Sequence, residues 1–233
     1  MCGRFVSALP AKELARIFGT LNALPNLPAN WNVAPTQVVA VVRRHPESGE
    51  RRLDPLHWGL LPHFERAPDR ARLPINARAE TVARLPSFRG AFAKRRCLVP
   101  ADAFYEWRRD GALKQPMAIA RADGAPLALG GLWESWTDPA SGHVTRTFCI
   151  VTTAPNATMA TIHNRMPLVL EAADWPAWLG EISAAAGALL RPASESVLRT
   201  RPVGTRVNSV RNNDASLLTP MENEAAGGGP NPA

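Results

Sequence analysis

Short apolar runs alternate with turn-forming residues along most of the chain: VVAVVRR from Val38, LVPADAFYEW from Leu98, QPMAIA from Gln115, PLALGGLWESW from Pro126 and TFCIVTT from Thr147. Runs of this length, bounded by Gly, Pro and polar residues, predict β-strands. Asp110-Gly111, between the run ending at Trp107 and the run starting near Lys114, predicts a hairpin, because both residues tolerate positive φ. Helical patterning is sparser. Pro10, then AKELARIF, then Gly19 reads as a helix with proline at its first position and glycine just past its end, with Leu14, Ile17 and Phe18 on one face. Shorter helices are expected over Ala77–Leu85, around Asn156–Thr161 and over Ala172–Leu179. Many short strands with scattered helices predict an α+β fold, a single domain around a curved, largely antiparallel β-barrel-like sheet. The 22 prolines predict many irregular connections, where functional residues commonly sit.

A chain of 233 residues is long enough to bury a sizeable core in one domain. We expect that domain over residues 2–220. Residues 221–233, ending in the small polar stretch ENEAAGGGPNPA, are expected to be a disordered tail. Hydrophobic residues at 45% and charged residues at 20% exclude the composition of a disordered protein. No apolar stretch approaches the roughly 20 residues of a membrane-spanning helix, and MCGRFVSALP lacks the apolar core of a secretory signal. A cytoplasmic setting with no membrane partner is therefore expected. Cys2, Cys97 and Cys149 are an odd number at wide spacing, a pattern of neither a disulfide framework nor a metal site, so no metal and no organic cofactor is expected. The formal charge of +7 favours polyanionic partners without choosing among them.

Position 2 carries distinctive chemistry. Methionine aminopeptidase removes Met1 when the next side chain is small, which would leave Cys2 with a free α-amine beside its thiol. With a reference pKa of about 7.7 to 8.0, roughly a tenth of that amine is neutral at pH 7, against about 0.04% of a lysine amine. A vicinal amine and thiol form a specific aldehyde trap: the amine gives a Schiff base and the sulfur closes a five-membered thiazolidine. By position alone the alternative stands beside it, a small buried residue opening a strand with Met1 retained. Cys97 and Cys149, inside apolar runs, are expected to be buried and inert.

The blocks MCGRF, WNVAPTQ, HWGLLPHF, INARAET, FYEW, TIHNRMPLVL and VNSVRNND occur in this order from Met1 to about Pro220, and with them the chain resembles the SRAP family, the SOS-response-associated peptidase or abasic-site-processing proteins. An MCG start alone also occurs in class II glutamine amidotransferases, whereas the set of blocks does not. The resemblance implies an α+β fold with a β-barrel-like core and a positive groove for single-stranded DNA. It also implies covalent capture of abasic sites through Cys2, shielding the lesion during replication-associated repair. It places Cys2 as nucleophile, Asn76 beside the new ring, Glu106 next to the ring-opened sugar and His163 as proton shuttle. Glu106 has the apolar neighbours Phe104, Tyr105 and Trp107, which suit a carboxyl poised for proton transfer. Histidine is a side chain able to give and accept protons at neutral pH, which suits His163 to a shuttle, and Asn76 offers a donor and an acceptor without charge. Taken singly, each has a plainer reading: a solvated carboxylate, a structural loop histidine, an asparagine capping a helix.

Through the same blocks the resemblance implies that Gly3, Arg4, Asn32, Pro35, Phe64, Arg78, Thr152 and Arg165 line the DNA groove. Phosphate contacts position without reading sequence, which suits a lesion that has lost its base. Where relatives often carry Trp after the WG-x-x-P block, this chain has His63, Phe64 and Glu65, leaving Phe64 as the aromatic available to neighbouring bases. The stretch from Arg66 to Arg72 looks longer than usual and is expected to reshape the groove rim or to form a solvated basic loop. The expected partner is single-stranded DNA containing abasic sites, bound by a monomer, with lyase and self-processing peptidase activity as possible companions. Two other classes remain open: an N-terminal-nucleophile amidohydrolase and a non-covalent single-strand binder.

Overall fold

In the computed structural model, which describes residues 2–66 and 73–221, the apolar runs become strands wherever alternate residues find a wall to pack against. In chain order they are β1 (Phe5–Ser7), β2 (Asn30–Val33), β3 (Val38–Arg44), β4 (Arg51–Trp58), β5 (Asn76–Arg78), β6 (Arg96–Ala101), β7 (Ala103–Asp110), β8 (Leu113–Arg121), β9 (Leu127–Thr137), β10 (Val144–Thr153), β11 (Met166–Pro167) and β12 (Leu198–Pro202). The helices α1 (Ala11–Phe18), α2 (Pro86–Lys94), α3 (Ala157–Ala160) and α4 (Trp175–Leu179) are short, and short 3-10 turns punctuate the chain from Ala172 to Leu218.

Five strands close on themselves. β10 runs parallel to β4, and antiparallel pairing then passes from β4 to β3, β6 and β9 and back to β10. Closure removes the exposed edges that an open sheet would present. β5 and β11 add to β10 at its Ile150–Thr153 end. A second sheet, in the order β12-β8-β7-β1-β2, lays one face on the barrel, so that Phe5 and Phe104 pack with Trp58, Phe148 and Ile150. Its other face, with Val6, Tyr105 and Ala118, is covered by Val203, Val207 and Leu217 of the C-terminal segment. The helices pack elsewhere, Leu14, Phe18, Phe88, Ala91 and Trp178 sharing a core with Val42, Leu98 and Cys149. The architecture is the expected single α+β domain with a barrel core.

Local expectations meet this architecture unevenly. α1 starts one residue after Pro10, which caps it, and ends at Gly19 in the left-handed region (φ 67°), where a side chain would be strained. The hairpin turn lies one residue later than the Asp-Gly pair, on Gly111 and Ala112, with Asp110 opposite Leu113. No helix forms over Ala77–Leu85. Asn76–Arg78 is a strand held parallel to Ile150–Thr152, turns follow, and the helix begins at Pro86. Pairing that buries Ala77 completely outweighs the local helical preference of the alanine-rich stretch. Most of the Arg66–Arg72 stretch and of the expected tail lies outside the described residues. Among the described residues no helix is long and apolar enough to cross a membrane.

Candidate active site

Cys2 is fully buried, just ahead of β1. β1 pairs through Phe5 with Val33 of β2 and with Phe104 of β7, which anchors the start of the chain two strands deep. Burial first, and then the negative charge of Glu106, push the Cys2 thiol well above the ordinary cysteine range. Glu106 lies on β7 opposite Met117 and is 3% exposed. Alternation along the strand puts Glu106 on the face of Phe104, the face that shares a core with Cys2. Asn76 opens β5, opposite Ile150 of β10. Its side-chain amide donates to the backbone carbonyl of Cys2 at 3.0 Å. Three residues far apart in sequence thus meet around the start of the chain.

His163 follows α3, whose first turn is capped by Asn156 Oδ1 accepting from the Met159 N–H at 2.9 Å. The backbone N–H of Arg165 donates to His163 Nδ1 at 3.0 Å, so the neutral imidazole carries its proton on Nε2. With Glu106, His163 lines an open pocket of about 490 Å³ that continues over Trp107, Arg109, Lys114 and Asn208. Cys2 and Asn76 are not part of that lining.

The expected groove residues divide into two groups. Arg4 and Asn32 are tied into the fold: Arg4 Nη1 donates to Asn32 Oδ1 at 2.7 Å and to the Val207 carbonyl at 2.9 Å. Burial lowers the Arg4 pKa. Asn32 Nδ2 in turn donates to the carbonyls of Ser209 and Asn212, both at 2.9 Å, which fastens the C-terminal segment. Thr152 is fully buried, and its carbonyl accepts from Arg165 at 2.5 Å. Arg165 also makes a two-point pair with Glu80 at 2.6 and 3.0 Å, so it links the His163 loop to the turn after β5. The more accessible group comprises Gly3 and Pro35, half-buried, and Arg78, exposed. Pro35 precedes Thr36, the one non-glycine residue with left-handed φ (74°) among the described residues. Phe64 is 52% exposed and meets His63 edge-on at 5.4 Å. Its loop is held by Trp136 Nε1 donating to the Glu65 carbonyl at 2.7 Å.

Sequence reasoning missed the far wall of the pocket. Trp107 Nε1 donates to Asn208 Oδ1 at 2.7 Å, and Arg4 lies 5.9 Å over the Trp107 ring. The only signal for Asn208 was its place in VNSVRNND. Nothing beyond charge marked Arg109 and Lys114.

Barrel and site together define an α+β protein with a cysteine at position 2, gathered with an amide and a carboxyl group beside a histidine-lined pocket. The chain belongs to the SOS response associated peptidase (SRAP) family, whose sequence model matches residues 1–210. It is similar to abasic site processing protein YoqW of Bacillus subtilis, 35% identical over 94% of this chain and 99% of that one. Abasic site processing protein YedK of Escherichia coli is 33% identical over 95% of this chain and 100% of that one. Abasic site processing protein HMCES of Gallus gallus is 30% identical over 78% of this chain and 61% of that longer one. A solved structure of a Bacteroides thetaiotaomicron protein superposes with a TM-score of 0.84 at 26% identity, covering 95% of this chain and 100% of that one.

Proposed function

We propose that this protein processes abasic sites in single-stranded DNA by capturing them covalently on Cys2 once Met1 has been removed. The observation that carries the reading is the Asn76 amide on the carbonyl of Cys2, with Glu106 acting on the same residue. That bond holds the main chain of Cys2 whether or not a residue precedes it, so the α-amine is left in a defined place.

The raised thiol sets the order of events. A buried thiol that stays protonated is a poor first nucleophile, whereas the α-amine is partly neutral at pH 7. The amine therefore attacks the sugar aldehyde first, and the carbinolamine loses water to give a Schiff base. The S–H then adds across the C=N bond, sulfur to carbon and proton to nitrogen, closing a thiazolidine with net release of one water. Glu106 serves the proton transfers that open the sugar and expel water, and His163, with its Nε2–H, moves protons on the pocket side. If sulfur closure fails, the Schiff base has an exit by β-elimination, which is the lyase reaction. Hydrolysis of residues preceding Cys2 is the corresponding peptidase step. Residues 2–220 form the processing unit, acting as a monomer on DNA.

The test is a denaturing gel. Purified protein mixed with single-stranded DNA carrying one abasic site should give a band that survives boiling in detergent, with Met1 absent by intact mass. An adduct mapped to any side chain other than Cys2, or active protein retaining Met1, overturns the proposal.

A further inference from the structure

The pocket that holds Glu106 and His163 extends well past both, onto the hairpin of β7 and β8. There Arg109 and Lys114 stand directly opposite each other across the two strands. Both are exposed, and among the described residues neither has a carboxylate partner. Like charges directly opposite on antiparallel strands destabilise the pairing, so this hairpin carries a local cost that an anion between them would remove. β8 pairs with β7 from Leu113 onward and with β12 over Met117–Arg121, and Trp107, two residues before Arg109 and on the same face, donates to Asn208. Trp107 and Arg109 lie on the opposite face of β7 from Glu106 and Arg108, and the pocket draws its lining from both faces, bringing Arg109 and Lys114 together with Glu106 and His163.

We propose that Arg109 and Lys114 form a backbone subsite that holds two phosphates of the nucleotides adjoining the lesion. The inference rests on the reading that this pocket receives single-stranded DNA, and adds where the flanking strand runs: from the reacting sugar at Glu106 and His163 outward along the β7–β8 hairpin. Two cations on neighbouring strands suit a ligand with charge at regular intervals, which a polynucleotide backbone supplies.

Non-covalent binding of fluorescent abasic single strands, measured by anisotropy over a salt series, tests this without requiring capture. Each phosphate contact contributes about 0.7 to the slope of log K against log salt for a single strand, so losing two lowers the slope by about 1.4. Arg109→Glu with Lys114→Glu should show that loss. Lys12→Glu with Arg89→Glu, an equal charge change at exposed positions of α1 and α2, should keep the wild-type slope. Arg109→Gln with Lys114→Gln guards against misfolding. It relieves the like-charge contact, so its melting temperature should not fall while its slope still drops. A neutral methylphosphonate within a few nucleotides of the lesion on one side should weaken wild-type binding and leave the Gln variant indifferent. The subsite is overturned if the Arg109/Lys114 variants keep the slope of the Lys12/Arg89 control. Binding without a covalent band would remove the capture chemistry and leave the subsite, a covalent band with unchanged slopes would do the reverse, and absence of DNA binding would remove both.

Discussion

The barrel wall around Cys97 and Cys149 and the cleft around Cys2 contain the same functional group at the same depth. All three cysteines are fully buried, and burial raises all three thiols. Cys97 and Cys149 sit in β6 and β10 on either side of Gly131, where a Cβ would lie 2.9 Å from both Cys97 Sγ and the Cys149 carbonyl. That region is closed by packing. Around Cys2 the neighbours are instead an amide on its own carbonyl and a carboxyl group from β7. Depth of burial therefore does not set the proposed nucleophile Cys2 apart from Cys97 and Cys149, whereas the polar groups turned towards it do.

The comparison breaks most visibly under substitution of the cysteines themselves. Cys2→Ala should abolish the detergent-stable DNA complex, whereas Cys97→Ala and Cys149→Ala should retain it per folded molecule; a persistent adduct in the first variant would dissolve the distinction. Next in size, Glu106→Gln keeps the shape of the cleft and removes its proton exchange. Single-turnover crosslinking should slow about 10²-fold, and an unchanged rate would make Glu106 a packing residue. On the barrel side, Gly131→Ala forces a methyl group against backbone and sulfur. It should cost about 1–3 kcal/mol of stability in urea melts without altering the crosslinking rate of the folded fraction.

The smallest effect concerns Glu195, whose carboxylate accepts from the Thr158 hydroxyl and from the N–H groups of Thr158 and Ala157 at the start of α3, the helix leading to His163. The Thr158 hydroxyl first, then these N–H groups, hold its pKa below the usual glutamate value. With a lowered folded pKa, the stabilisation is complete above the unfolded value of about 4.3 and is lost as pH falls through the folded value. Glu195→Gln should therefore melt slightly below wild type at pH 7, and the two should converge in acid.

Much of this contrast was legible in the sequence, but unequally. The barrel strands announce themselves as apolar runs, and Cys97 and Cys149 inside them read correctly as buried. Barrel closure, with β10 parallel to β4 and β5, depends on partners distant in sequence and leaves no local trace, which is why Ala77–Leu85 read as helix. Pro86, a good first helical residue, was the overlooked sign of α2. β12, with the sequence LRTRP, is too polar to read as a strand and is recruited by pairing with β8. Asn76, Glu106 and His163 were singled out only through their sequence blocks, since nothing local tells Asn76 from a helix cap. The buried pair of Arg43 with Asp54 at 2.6 Å, stacked on Trp133 at 4.4 Å, was invisible because both partners look like surface residues.

The bond from Asn76 to the carbonyl of Cys2 has a practical corollary. It grips the main chain on the C-terminal side of the nitrogen proposed to react, so on that reading an upstream leader would convert that nitrogen into an unreactive amide. If the proposed capture holds, a fusion partner on this end would act as a safety catch, released by any endoprotease that cuts immediately before the cysteine, so that the reaction could be started on demand in an otherwise assembled protein.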